Sequence, residues 1–301
     1  MHKLQFIIKP SLVIGFLGAA VVLMWGATAW LRLLAVSVPP LELTGIALLA
    51  AAVCSRLLPG SRSLLSTMAR HYPWYVWPVV GIGLVGGAGF YFAALAWAPA
   101  AQTVVITYSW PLLFAIASDV HGGRRPSPLT LAGLLLAFAG VYVMQESGQG
   151  PFPHAWLGYA CGVASGLCWV LYSLFLQVCA RSIEPDYPAF FSFAAVLALL
   201  LQAVFGGFVW PQTTSAWLAI SILGIGPYGL GFMAWGYVVH NGNPRVIPVL
   251  PYAVPAVAAG LLVLTGHSQP TMALIVGCAL VGIACAAIMI DPAVRKSKAG
   301  A

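Results

Sequence analysis

The sequence predicts an all-α polytopic membrane protein of ten transmembrane helices, arranged as two inverted five-helix repeats. Three observations carry this expectation. Of 301 residues, 61% are hydrophobic and 6% charged, with a mean hydropathy of +0.95, whereas soluble domains carry about 25% charged residues. The apolar residues gather into stretches close to the roughly 20 residues that a helix needs to cross a hydrocarbon core about 30 Å thick. Finally, one constant shift of 144 residues aligns the first half of the chain with the second.

In chain order the expected spans are 11–35, 40–58, 74–96, 99–119, 127–146, 154–179, 187–209, 215–240, 244–265 and 270–290. The first follows "MHKLQFIIKP" and contains "ATA" at Ala27 to Ala29, the outline of a signal peptide. It is long for such a segment, and its removal would leave an odd number of spans, so it is expected to be the first helix. The second opens on "PLELTG" after Pro39 and closes at Arg56. The third and fourth run together through "LAWAPAAQ" and are separated by charge placement, since one crossing there would reverse every later basic loop. The fifth opens beyond Arg124 and Arg125, and the sixth beyond "GPFPH". The seventh follows "EPDYP", and the eighth closes at "HNGNPR". The ninth carries Pro248, Pro251 and Pro255, and the tenth closes before "DPAVRK".

The shift of 144 pairs Gly18 with Gly162, Ala20 with Ala164, Leu23 with Leu167 and Trp25 with Trp169. It also pairs Gly87 with Gly231, Val105 with Val249, Tyr108 with Tyr252, Pro111 with Pro255, Gly122 with Gly266 and Gly133 with Gly277. One ungapped register that joins both ends of each half indicates duplication, with residues 1–146 as the first repeat and 147–301 as the second. Five spans per repeat, an odd number, make the second copy enter the membrane upside down. Inverted repeats around a midplane site are a device of secondary transporters.

Charge fixes the expected orientation. With a cytoplasmic N-terminus, Lys3, Lys9, Arg56, Arg62, Arg70, Arg124, Arg125, Arg181, Arg245, Arg295, Lys296 and Lys298 all fall inside, twelve of the thirteen Lys and Arg residues. That is the positive-inside asymmetry, and it places both termini in the cytoplasm. The exception is Arg32, near the outer end of the first span, where it faces Glu42 across "AVSVPP" and is a candidate for pairing with it. The net charge of +7 is dispersed over several loops rather than gathered in one patch, so no nucleic-acid partner is expected.

Cys54, Cys161, Cys168, Cys179, Cys278 and Cys285 lie in or at the ends of spans without paired metal spacing, and read as packing residues. The six histidines, at 2, 71, 121, 154, 240 and 267, fall near segment ends. No metal and no cofactor are therefore expected.

The phrases "LMWGATAWLRL", "GLCWVLYSL", "YSWPLL", "YAVPAV" and "GGRRPSPLTLAGLLLAFAGVYV", in this order, resemble the drug/metabolite transporter superfamily in its EamA-like branch. The aromatic abundance is similar to that of bacterial aromatic amino acid exporters of the inner membrane. The resemblance covers nearly the whole chain. It implies helices one, three, four, six, eight and nine around a central cavity, with two, five, seven and ten supporting them. The chain departs from the family where it reads Gly123, Arg124, Arg125 instead of Gly-Glu-Arg, and where the second span lacks a commonly found arginine, so no gating salt bridge is carried over.

Local chemistry supplies site candidates. Pro111 and Pro255 lack the amides that would bond the Thr107 and Pro251 carbonyls, and Pro248, Pro251 and Pro255 align the disrupted bonds of the ninth span on one face. Lipid cannot satisfy such carbonyls, so that face should meet protein or a watery cavity. Pro111, Pro251 and Pro255 are the candidates for helix breaks and gating, with a plain packing kink as the alternative. The candidate substrate contacts are Trp25, Tyr91, Tyr108, Trp110, Trp169, Tyr172, Trp235 and Tyr252. Core packing explains any one of them equally well. As a group they suit flat, apolar solutes. Trp74, Trp77, Trp156, Trp210 and Trp217 fall near span ends and read as an interfacial belt.

The functional expectation is a secondary transporter, not an enzyme, that exports or facilitates movement of small neutral or zwitterionic solutes, foremost aromatic amino acids. Other metabolites or drugs are the alternative cargo. The chain has no Walker A phrase and no loop able to hold a nucleotide-binding domain. Asp119, at an inner helix end, shows no partner in sequence for proteolytic chemistry. A receptor or assembly protein is the alternative from another class, and it gives no reason for the duplication. Carriers of phosphorylated solutes should present several cations, and Arg32 is the only Lys or Arg within the spans away from their cytoplasmic ends.

Overall fold

The computed structural model describes residues 10–58, 72–98, 100–144, 153–179, 184–267 and 269–290. Lys3, Lys9, Arg62, Arg70, Arg181, Arg295, Lys296, Lys298, both termini and the boundary between residues 146 and 147 lie outside them, as does the side chain of Cys179.

Helices occupy each of the ten apolar stretches: α1 (Pro10–Leu34), α2 (Pro40–Leu57), α3 (Val76–Trp97), α4 in two pieces (Ala100–Thr107 and Trp110–His121), α5 (Pro128–Met144), α6 (Ala155–Cys179), α7 (Tyr187–Phe205), α8 (Thr214–Asn241), α9 (Ile247–Leu264) and α10 (Met272–Ile290). Eight of these stretches are long and apolar enough to cross a membrane, whereas Pro128–Met144 and Met272–Ile288 are apolar but shorter. Many large apolar side chains point outward, among them Phe16, Val204 and Phe205, each more than 70% exposed. That outward surface is what a lipid solvent requires.

Helix ends follow local chemistry. Asp186 caps α7 by accepting from Ala189 N at 3.1 Å, and Thr213 caps α8 by accepting from Ala216 N at 3.2 Å. α4 and α9 end in the same reversal. Gly123 (φ 65) and Gly266 (φ 74) take the left-handed conformation, while Arg124 N donates to Asp119 O and His267 N to Leu262 O, both at 2.8 Å. This six-to-one closure suits a residue without Cβ at its hinge. The seventh span ends earlier than expected, at Phe205. Gly206 and Gly207 stop the helix, Gln202 Nε2 donates to Gly207 O at 2.7 Å, and Glu42 Oε2 accepts from Val209 N at 2.8 Å.

Three spans are not uniform α-helices. α3 contains a π-helical turn at Gly81–Gly86 and α8 another at Gly224–Leu230, positions related by the 144 shift to within a residue. α9 opens as a 3-10 helix, Ile247–Tyr252, because its prolines remove the amides that an α-helix would use.

The helices pack in corresponding pairs. α3 lies along α6 and α8 along α1; α1 lies along α9 and α6 along α4; α2 lies along α8 and α7 along α3. Advancing every helix by five, cyclically, converts one member of each pair into the other. The self-corresponding pairs, α2 with α7 and α5 with α10, are extensive as well. In the second of these the backbones nearly touch: a Cβ at Gly140 would stand 2.8 Å from Gly277 O, and one at Gly277 would stand 2.5 Å from Gly140 O. Small residues allow this approach where dispersion, rather than water exclusion, holds helices together.

Candidate functional site

A cavity of about 740 Å³ penetrates the bundle from the end that carries Val36 and the α9–α10 connection at Gln269 and Thr271. Its walls come from α1, α3, α4, α6, α8 and α9, with Met144 of α5 and Leu274 of α10 at the margin. The volume falls within the roughly 300–1,000 Å³ typical of small-molecule sites.

The floor is built twice from the same parts. Trp25 of α1 lies against Gly231, just past the π turn of α8, and Trp169 of α6 lies against Gly87, just past the π turn of α3. A Cβ at Gly231 would stand 3.1 Å from Trp25 Nε1, and one at Gly87 would stand 3.0 Å from Trp169 Cε2. Each indole therefore uses the space that a glycine of the other half leaves open. The two rings meet at 5.9 Å between centroids, and Phe232 contacts both, at 6.0 and 5.4 Å. Trp110 closes the group at 6.5 Å from Trp169. The π turn of α8 also turns a carbonyl inward, and Pro227 O accepts from Trp25 Nε1 at 3.1 Å. The Ser165 hydroxyl takes the Gly87 carbonyl at 2.7 Å.

The sequence candidates divide by position. Trp25, Tyr91, Tyr108, Trp110, Trp169, Pro251 and Pro255 line the cavity. Trp235 and Tyr172 do not; both are fully buried beneath it, Trp235 at 5.3 Å from Trp25 and 6.0 Å from Trp110, with its Nε1 donating to Ser173 Oγ at 3.2 Å. Tyr252 is enclosed in a separate cluster with Val141, Val281 and Ile288. Pro111 is buried at the start of the second piece of α4, below a turn in which Tyr108 N donates to Val104 O at 2.8 Å. There the Thr107 carbonyl lies close to α6, where a Cβ at Gly166 would be 3.2 Å away. The Pro251 carbonyl lies at the end of the 3-10 turn, where the Ala253 N–H reaches back to Leu250 and Pro251. Thr28, Thr107, Phe92 and Leu262 also line the cavity; they carry no signal apart from their place on lining helices.

The expected pairing of Arg32 with Glu42 does not form. The Arg32 guanidinium donates to Ala35 O and lies 5.6 Å from the Phe92 ring centroid, lining the cavity. Glu42 is fully buried on α2 and turned to the Val209 amide instead. Asp119, for which the sequence shows no partner in proteolytic chemistry, is in ion pairs instead, with Arg124 Nε at 2.9 Å and Arg245 Nε at 3.6 Å. Its side chain is 6% exposed, and it ties the end of α4 to the α8–α9 connection at the end opposite the cavity mouth. Among the described residues no three His, Cys, Asp or Glu side chains are grouped to hold a metal ion.

The EamA-like transporter family model matches twice, over residues 12–145 and 156–290. The chain belongs to the EamA-like transporter family. It is 34% identical over 269 residues to the aromatic amino acid exporter YddG of Ancylobacter novellus, covering 88% of this chain and 93% of that one. A probable terminal-alkyne amino-acid exporter of Streptantibioticus cattleyicolor is 26% identical over 66% of this chain and 69% of its own. A solved crystal structure superposes with a TM-score of 0.79 at 32% identity, covering 91% of this chain and 95% of that one. The chain is thus a multi-pass membrane transporter of the exporter kind, and its partner is a small molecule.

Proposed function

We propose that this transporter exports aromatic amino acids across a bacterial inner membrane by alternating access, with ten crossings formed by two inverted repeats and both termini cytoplasmic. The observation that carries the reading is the cavity floor, where Trp25, Trp110, Trp169 and Phe232 offer ring faces and edges to a planar solute. The named activity of the Ancylobacter relative supports the same cargo. Orientation is supported by charge: the described Arg56, Arg124, Arg125 and Arg245 belong to the end opposite the mouth. By the positive-inside rule that end is cytoplasmic, so the cavity faces the exterior. The Asp119–Arg124–Arg245 cluster then holds the cytoplasmic side closed, and its opening accompanies the inward-facing state. Seven lining positions were candidates from sequence, and Tyr172, Trp235 and Tyr252 act in this scheme as packed supports behind the walls.

Counterflow in proteoliposomes with labelled tryptophan, phenylalanine, alanine and glutamate tests the cargo. The two aromatic solutes are expected to exchange fastest. Equal rates for all four would overturn the assignment.

A further inference from the structure

Among the described residues that line the cavity, Arg32 is the only one with a charged side chain; no Asp, Glu or Lys shares the wall. Glu42, the acid closest to it in sequence within a span, is turned away on α2 and bonded to Val209 N, so it does not neutralise the guanidinium. Arg32 is half-buried at the last turn of α1, where the carbonyl ends of the helix favour a cation. One N–H is held by Ala35 O and the plane lies over Phe92, which fixes the group and leaves further donors for a ligand. A fixed planar fork in an aromatic-walled cavity is the arrangement that receives a carboxylate through two parallel bonds.

The opposite end of an amino acid finds no such counterpart. An ammonium group would meet only neutral hydroxyls, carbonyls and ring faces in this cavity. Delivered without a carboxylate, it would add a second cation to a low-dielectric space that already holds Arg32.

We infer that Arg32 is the specificity-determining residue that anchors the solute carboxylate, and that the transporter accepts aromatic monocarboxylates lacking the amino group while rejecting aromatic amines lacking the carboxylate. This rests on the proposal that the cavity carries aromatic amino acids, and it adds an aromatic carboxylic acid class to them.

Binding is measured on the purified full chain by calorimetry with tryptophan, indole-3-propionate and tryptamine, alongside tryptophan counterflow in proteoliposomes. Indole-3-propionate is expected to bind about as tightly as tryptophan, and tryptamine at least about tenfold more weakly. Arg32→Gln should weaken both carboxylates by about tenfold or more and leave tryptamine unchanged or improved. Arg32→Lys, which keeps the charge and guards against a folding defect in the first variant, should retain the acid-over-amine order. Equal binding of acid and amine by the native chain, no binding of the acid, or an acid-to-amine ratio unchanged in Arg32→Gln would each overturn the inference. Absence of tryptophan counterflow together with Arg32-dependent binding of indole-3-propionate would instead overturn the amino acid reading and leave the carboxylate anchor standing.

Discussion

Trp235 and Tyr108 show how two aromatic side chains of one bundle take different work. Trp235 is fully enclosed, in ring contact with Trp25, Trp110 and Phe114, and its indole N–H is bonded to Ser173 Oγ. Trp235→Ala should therefore cost about 3–5 kcal/mol of stability, seen as a large fall in the melting temperature of the detergent-solubilised protein. Trp235→Phe keeps most of the packing and loses one hydrogen bond, about 1 kcal/mol. Tyr108 is half-buried on the cavity wall. Tyr108→Ala should weaken tryptophan affinity by about 0.5–1.5 kcal/mol, the worth of one aromatic contact beyond its area, with a smaller loss of melting temperature than Trp235→Ala. If the two variants lose stability alike and binding is unaffected in Tyr108→Ala, Tyr108 is a packing residue too. Sequence could nominate both residues because aromatics at repeat-related positions stand out. It could not separate them, since residues on one span reach either the cavity or the layer behind it by small changes of helix winding. The π turn before Gly231 is such a change. The same limit applies to Arg32 and Glu42: closeness in sequence suggested a pair, but the choice of partner was made by the α7–α8 connection, 167 residues away from Glu42 in the chain.

At the scale of elements, the apolar stretches and their turns were legible, because a membrane helix announces itself by length and composition alone. The irregular winding of α3, α8 and α9 was legible only in part. Prolines marked α9, whereas nothing in "GIGLVG" and "GIGPYGL" set the π turns of α3 and α8 apart from the helix around them. The glycines there admit close neighbours: a Cβ at Gly224 would stand 2.4 Å from Ala47 O of α2. Helix contacts of this kind predict steep costs for small changes. Gly140→Val should lower stability by about 1–3 kcal/mol or prevent folding, because the nearest neighbouring atom, Gly277 O, is backbone of α10 and cannot move aside, and the side chains of Val281 and Leu280 fill the space beside it. Gly15→Ala meets no atom within 4 Å and should be neutral or stabilising by about 0.5–1 kcal/mol. Thermal melts of both variants check the contrast, and equal effects would contradict the contact geometry. The Asp119 cluster joins α4 to the α8–α9 connection, and Asp119→Asn leaves Arg245 facing a neutral amide. The variant should lose stability by about 1–3 kcal/mol and loosen this end of the bundle. Faster labelling of a cysteine placed at Ser118 would report that loosening, and unchanged labelling would show that the cluster does not hold this end shut.

For the whole molecule, the duplication was legible from a single shift, and the paired helix contacts follow the same register. Which end of the cavity is open was not legible, since the same residues line it whichever end is open. In the structure the mouth lies between α1 and α9 and the opposite end is closed. Three linked assignments make up the proposed function: this cavity is the solute path, its mouth faces the exterior, and its floor holds an aromatic solute. Thr28 lines the wall just above Trp25 along α1 and is half-buried, so Thr28→Cys is a small change at the decisive place. In a chain freed of its six native cysteines, labelling of this residue with a membrane-impermeant thiol reagent is measured in intact cells, with and without tryptophan. Labelling from outside is expected, slowed by tryptophan and not by alanine. Labelling that occurs only in inverted membranes, or that proceeds at the same rate with and without tryptophan, would contradict these assignments.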